Sequence, residues 1–202
     1  MKRRAFDVIA STVGLGLAIL LMVGGGLLTW AHNYVGDQVH NQLAAQKVFF
    51  PPSSDPELKD PAFAAVRQYA GQQLLTGDQA EVYADHFIAN HLKAIGGGKT
   101  YSQLSGEYLA LSDAQKAAPD GLALNGQVQT MFRGETLRGL LLNAYAFGKM
   151  GTIAGIGAIV AWISGALMFV LAGLGYWHAH RVPETAEVLT KHHGVPAVEQ
   201  IP

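Results

Sequence analysis

Two long apolar runs punctuate a chain whose other segments follow helical patterns. The first, Val8 to Ala31, reads VIASTVGLGLAILLMVGGGLLTWA; the second, Gly151 to Trp177, reads GTIAGIGAIVAWISGALMFVLAGLGYW and holds 27 residues without a charge. As a helix the second run extends roughly 40 Å, more than the roughly 30 Å of bilayer hydrocarbon, so each run is long enough to cross with some tilt. Between them apolar residues recur in helical stripes. Tyr34, Val39 and Leu43 form one stripe, followed by Phe63, Val66, Tyr69 or Ala70, and Leu74. Val82, Phe87 or His86, Ile88 and Leu92 follow, and Tyr101, Leu104, Tyr108, Leu109 and Leu111 make a fourth set.

Breaks and caps place the elements. The helix leaving the first run must end by Pro51-Pro52, and PPSSDPELKDP is a loop. Asp60 is placed as an N-cap with Pro61 at the first position of a helix to Leu75, which Thr76-Gly77-Asp78 interrupts. A further helix runs from about Asp78 to Ile95, ended by Gly96-Gly97-Gly98, and Thr100 or Ser102 starts the next. Ser112 to Gly126 reads as a short helical turn between loops, with helix resuming at Gln127. Leu137, Leu140, Leu141, Leu142, Tyr145 and Phe147 cover nearly the whole circumference of that last segment. This places it beneath the other helices as their support, with Gly148 and Gly151 permitting a bend.

The expected fold is therefore an all-α membrane protein, two transmembrane helices flanking a compact extracytoplasmic helical domain. Its divisions are a cytoplasmic N-terminus (1–7), a first crossing (8–31), the helical domain (32–149), a second crossing (150–177) and a cytoplasmic mobile tail (178–202). Lys2, Arg3 and Arg4 precede the first run and stay on the cytoplasmic side by the positive-inside bias, with Arg181 and Lys191 adding the same sense beyond the second. Trp30 and Tyr34 suit an outer aromatic belt, Tyr176 and Trp177 an inner one. The first run is longer than a secretory h-region and no clean Ala-x-Ala site follows it, so it is read as an uncleaved signal anchor.

Composition narrows function only by exclusion. Net charge is -1, which provides no field for nucleic acid. Cysteine is absent, which removes disulfides, thiolate metal sites and a cysteine nucleophile. IGGGKT lacks the glycine a phosphate loop needs five residues before Gly98, where Lys93 stands, so the glycines are read as a helix stop. Glu81, Asp85, His86, Asn90 and His91 form the richest polar cluster, and Glu81, Asp85, His86 and His91 are the metal candidates, although no H-E-x-x-H pattern joins them. Ser53, Ser54, Ser102, Ser105 and Ser112 all lie outside G-x-S-x-G or S-x-x-K. In the tail, His178 with His180 and His192 with His193 are metal-binding candidates of the His-rich kind.

The membrane runs are rich in small residues. Gly151 and Gly155 make a small-x-x-x-small pair that lets helix backbones approach, and they are the expected helix-contact positions. Arg133, Glu135 and Arg138 are expected to form local ion pairs, and Arg133, Arg138 and Lys149 are candidates for lipid headgroup contact. Tyr83, Phe87 and Tyr145 are expected in domain packing.

Four stretches together carry a family mark: MKRRAFDVIASTVGLGLAILL, LAAQKVFFPP, QYAGQQLLTGDQAEVYADHFIANHLK and FRGETLRGLLLNAYAFGKMG. Over about residues 1–180 the chain resembles an uncharacterised actinobacterial family of two-helix membrane proteins with an extracytoplasmic helical domain. The resemblance implies the plasma membrane of a wall-bearing bacterium and carries over no catalytic residue. The expected function is a non-enzymatic membrane component or accessory subunit contacting a cell-envelope protein or assembly. Alternatives are a membrane-tethered envelope hydrolase or metal-dependent enzyme, and a lipid-binding or channel-forming oligomer. Expected partners are membrane lipids and another membrane or envelope protein or a second copy, without nucleic acid and without a cofactor.

Overall fold

The computed structural model describes residues 2–188. Among these residues every regular element is helical, and extended pairing is limited to two isolated bridges, Lys2 with Glu187 and Phe49 with Gln73. The order is α1 (Arg3–Gln46), 3-10 turns at Pro56–Lys59 and Pro61–Phe63, α2 (Ala64–Arg67), α3 (Gly77–Val82), a π-helical stretch Tyr83–Ile88, α4 (Ala89–Ile95), α5 (Tyr101–Leu109), α6 (Asp113–Ala117) and α7 (Pro119–Arg181). α1 and α7, at 44 and 63 residues, are both long and apolar enough to cross a membrane. Contacts divide the described residues into one unit of residues 2–29 with 156–188 and a second of residues 30–155.

In the first unit α1 and α7 pack antiparallel along small side chains. Buried positions recur every seven residues: Ser11, Ala18 and Gly25 on α1; Ala158, Gly165, Ala172 and Ala179 on α7. A seven-residue repeat falls just short of two helical turns, so keeping such a seam in register winds two helices around each other in the left-handed sense. A Cβ built on Gly165 would lie 3.0 Å from Met22 Sδ and 3.4 Å from the Ala18 carbonyl. On Gly25 it would touch the Trp162 indole at 3.3 Å, and on Gly175 it would collide with the Ser11 hydroxyl. Polar side chains are satisfied across the seam. Trp162 Nε1 donates to Thr29 Oγ1 at 3.1 Å while Thr29 donates to the Gly25 carbonyl, and the Thr12 and Tyr176 hydroxyls meet at 2.8 Å.

Most other large apolar residues of this pair point away from the seam. Ile9, Val13, Leu20, Leu27, Ile159 and Leu167 are exposed, and only 11% and 17% of the most apolar windows of α1 and α7 are buried. A soluble helix pair does the reverse, burying its largest side chains and exposing its polar ones.

The second unit is built on a core of Val39, Leu43, Phe50, Val66, Leu74, Leu92, Leu104 and Met131, with Val66, Leu74 and Met131 almost wholly enclosed. α1 stops at Gln46 because Lys47 takes a left-handed turn, φ 52°. Thr76, Thr100 and Ser112 each open a helix with a capping box, their hydroxyls accepting from the backbone N–H of Gln79, Gln103 and Gln115. Gly97 and Gly98, at φ 57° and 83°, close α4, the helix stop that IGGGKT suggested. The π stretch aims neighbouring side chains at different partners: Tyr83 at Phe50, Asp85 at Arg138 and Phe87 at Phe63.

Several expectations are corrected. The helix expected from Pro61 to Leu75 ends at Arg67, because Gly71 turns at φ 73° and the following strip pairs with residues 48–51: Phe50 N–H donates to Gln72, Gly71 to Pro51 and Leu74 to Val48. Pro119-Asp120-Gly121 and Asn125-Gly126 are helical rather than loop, and α7 starts eight residues before Gln127. Pro119 and Asp120 suit a helix start, and Gly121 is small because α6 crosses it, where a Cβ would collide with the Gln115 carbonyl. Leu109, assigned to an apolar face, is 68% exposed, and Tyr34 is exposed and stacked on Trp30 instead of extending the Val39–Leu43 stripe. The 137–147 segment is covered on one side only, with Leu141 buried and Leu137, Leu140 and Phe147 exposed, and helix runs unbroken through Gly148 and Gly151. The tail positions Lys191, His192 and His193 lie outside the described residues.

Gly134 provides a test of this packing, since a Cβ there would drive into the side chain of buried Leu92. Gly134→Ala is expected to destabilise by about 1–3 kcal/mol through overpacking, against a helix-propensity gain of about 1 kcal/mol. In a Leu92→Ala background the clash disappears and the same change becomes neutral or stabilising. Urea unfolding of the four proteins of this cycle reads that change of sign; equal effects in both backgrounds would refute the contact.

Candidate functional site

The second unit contains a cleft of about 280 Å³ between α1, α7 and the start of α3. Beside it, two glycines of α7 make room for α1. A Cβ on Gly155 would come within 2.8 Å of His32 Nδ1, and one on Gly151 within 3.3 Å of Val35 Cγ1. The notch so formed seats the His32 ring, whose Nδ1–H donates to the Gly151 carbonyl at 2.7 Å. That hydrogen bond selects the tautomer and leaves Nε2 as an acceptor when the ring is neutral. At the rim, Gly77 lies directly on α7, where a Cβ would meet the Ala144 carbonyl at 3.2 Å and Gly148 Cα at 3.3 Å.

A buried glutamine holds the rim in place. Gln79 Oε1 accepts from the N–H groups of Leu75 and Thr76, and its amide donates to Gln72 at 3.2 Å. Asp78 pairs with Lys149 at 2.9 Å, and the Lys149 ammonium sits 5.3 Å from the Tyr145 ring centroid. His40 and Thr152 complete the polar lining. His32 and His40 are eight residues apart on one helix, about 12 Å of rise, too far to hold a single ion. The Thr152 hydroxyl donates back to the Gly148 carbonyl. The cleft is thus of mixed polar and apolar lining, with the His32 ring fixed through Nδ1.

The acidic and histidine cluster does not converge. Asp85 accepts two hydrogen bonds from Arg138, at 2.8 and 3.1 Å, and Glu135 accepts a third at 3.0 Å. The Asp85 hydrogen bond, helped by Glu135, holds the Arg138 guanidinium above its ordinary pKa against partial burial. Both His91 nitrogens face oxygen acceptors, Nε2 at 2.8 Å from Glu57 and Nδ1 at 2.7 Å from the Phe87 carbonyl, so neither has a lone pair aimed at a metal. Asn90 ties Ala62 and His86 together through their carbonyls. Glu81 and His86 are half-buried and join neither pair. Among the described residues no three His, Asp or Glu side chains gather as a metal would need. The cluster pins the Asp55–Phe63 loop and α7 to the α3–α4 helix, and His91 packs in the aromatic group of Phe63 and Phe87.

No family model, curated protein or solved structure matches the chain. Its chemistry has therefore to be read from its own geometry. Of the cations proposed for headgroups, Arg138 is held by Asp85 and Glu135 and Lys149 by Asp78, while Arg133 is exposed and makes no ion pair among the described residues. The local ion pairs expected of Arg133, Glu135 and Arg138 thus exclude Arg133 and include Asp85. Tyr83 and Phe87 do pack in the domain, their rings 4.8 Å apart, and burial pushes the Tyr83 hydroxyl pKa up.

Asp78 raises the Lys149 pKa above 10.5, first by hydrogen bonding and then by charge. A raised ammonium stabilises the fold at any pH below its unfolded value, and that contribution is lost as pH rises through the folded value. Asp78→Asn should return the Lys149 titration toward 10.5, read by NMR of labelled lysine side chains. An unchanged titration would show the pair is not formed in solution.

Proposed function

We propose that the chain is a two-pass membrane component whose helical unit, residues 30–155, contacts another protein of the cell envelope. The observation that carries this reading is the inverted polarity of the α1–α7 pair, small residues inward and large apolar residues outward. Lipid is the solvent that favours this arrangement, because packing and not hydrophobic transfer then holds helices together. In water the same surface would far exceed the few hundred Å² of apolar patch a soluble monomer exposes.

In this reading Lys2, Arg3 and Arg4 keep the N-terminus in the cytoplasm, the second crossing returns residues 178–202 to the same side, and residues 32–149 are extracytoplasmic. The resemblance to actinobacterial two-helix proteins favours the plasma membrane of a wall-bearing bacterium. Contact with a further protein is supported by the outward face of α7, where Leu137, Leu140, Phe147 and Met150 are exposed at spacings of three, seven and three residues. Such spacing places them along one side of a helix, as a partner helix requires.

Two measurements test it. Protease added to sealed, right-side-out cells should cut in the exposed Pro52–Ser54 loop while sparing both termini; protection of that loop would reverse the orientation. A photo-crosslinking residue at Leu140 or Phe147 should give a discrete adduct with one protein in native membranes, identified by mass, and the same residue at exposed Ser53 should not. A chain that remains free at both positions and extracts as a solitary monomer would exclude the accessory role.

A further inference from the structure

We propose that a cleft at the start of α1 binds the headgroup of one acidic phospholipid. The inference rests on the membrane reading and gives it a specific ligand. The cleft, about 440 Å³, is lined by Lys2, Arg4, Ala5, Val8, Ile9 and Glu184. It exists because the chain beyond α7 folds back on α1: Val182 N–H donates to His178, Ala186 N–H to Pro183, and Arg3 N–H to the Ala186 carbonyl at 2.9 Å, beside the bridge of Lys2 with Glu187. The last of these bonds also satisfies one of the free N–H groups at the start of α1.

The lining divides into charge above and hydrocarbon below. Arg4 and Val8, like Ala5 and Ile9, are four residues apart on one helix face, so the apolar pair lies about 6 Å deeper than the cation. Val8 and Ile9 are 40% and 58% exposed. This order matches a phosphate over the first carbons of an acyl chain. Lys2 and Arg4 outnumber the single acid of the lining, Glu184, which takes one donor of the Arg4 guanidinium at 3.1 Å and leaves the others free. That pair is exposed on both sides and is weak enough for a phosphate to replace. Lys2 makes no ion pair among the described residues. Neither Asp7 nor Glu187, the residue bridged to Lys2, lines the cleft, and the Asp7 Oδ2 is buried 3.8 Å from His178 Nε2 on α7. Arg181, the cation at the end of α7, lies over the Trp177 ring. A free phosphate ion would leave Ala5, Val8 and Ile9 uncovered, so the ligand is a lipid.

The full chain, purified in mild detergent, is mixed with dioleoyl phosphatidylglycerol or dioleoyl phosphatidylcholine, and retained lipid is counted by native mass spectrometry. One phosphatidylglycerol is expected, in preference to phosphatidylcholine and undisplaced by excess inorganic phosphate. Lys2→Gln and Arg4→Gln should each lower retention about fivefold. Glu184→Gln should raise it, and Arg133→Gln, in the helical unit, should leave it unchanged. An alkaline wash of native membranes separates the two readings. A chain that washes off overturns both. A chain that stays, yet keeps phosphatidylglycerol equally in wild type and in the Lys2→Gln/Arg4→Gln protein, or releases it to inorganic phosphate, overturns the lipid site alone.

Discussion

In the first unit α1 and α7 lie close together where the facing positions carry small side chains. The seam of Ser11, Ala18 and Gly25 against Ala158, Gly165 and Ala172 meets that condition with a residue of two or fewer side-chain heavy atoms at every seventh place. Close approach gives many weak dispersion contacts and brings Thr29, Trp162, Thr12 and Tyr176 within hydrogen-bonding reach. Apart from Met22 and Trp162, which lie against Gly165 and Gly25, most of the large apolar residues face out. That one steric rule turns much of the apolar surface of the first unit outward.

The second unit solves the same problem with single glycines at crossings. Gly77 abuts Gly148, Gly134 admits Leu92, Gly121 admits α6, and Gly155 admits the His32 ring. Each notch fixes where a neighbour sits, and the residues around it follow: His32 reaches the Gly151 carbonyl, and Asp78 reaches Lys149. The ion pair of Arg138 with Asp85 and the 2.8 Å contact of His91 with Glu57 then lock a core already made by Val66, Leu74 and Met131. Exposed or half-exposed pairs of this sort add little energy singly and act mainly to choose one arrangement among those the apolar contacts allow.

The cations of the chain differ in how they are used. Arg138 and Lys149 have carboxylate partners inside the helical unit and are therefore poor candidates for lipid, despite their position before an apolar run. Lys2 and Arg4 are more available, with one exposed acid between them and an apolar surface one turn away. Charge beside an apolar run is thus insufficient to identify an anion site; the neighbouring carboxylates decide which cation is left without a partner.

Much of the helical layout was legible in the sequence because it depends on neighbours along the chain. Runs of more than twenty apolar residues, the caps at Thr100 and Asp60, and the periodic burial of Val39, Leu43, Val66, Leu92 and Leu104 all arise from spacing alone. Turn signals misled where a glycine served a crossing, as at Gly121, and apolar periodicity misled where a helix had one covered side, as at Leu109 and Leu140. Only tertiary structure could pair Asp85 with Arg138, 53 residues apart, or Arg4 with Glu184, 180 residues apart. Sequence spacing records which residues share a helix face, whereas which faces meet is set by side-chain volume at the crossings, and that is a property of two segments at once.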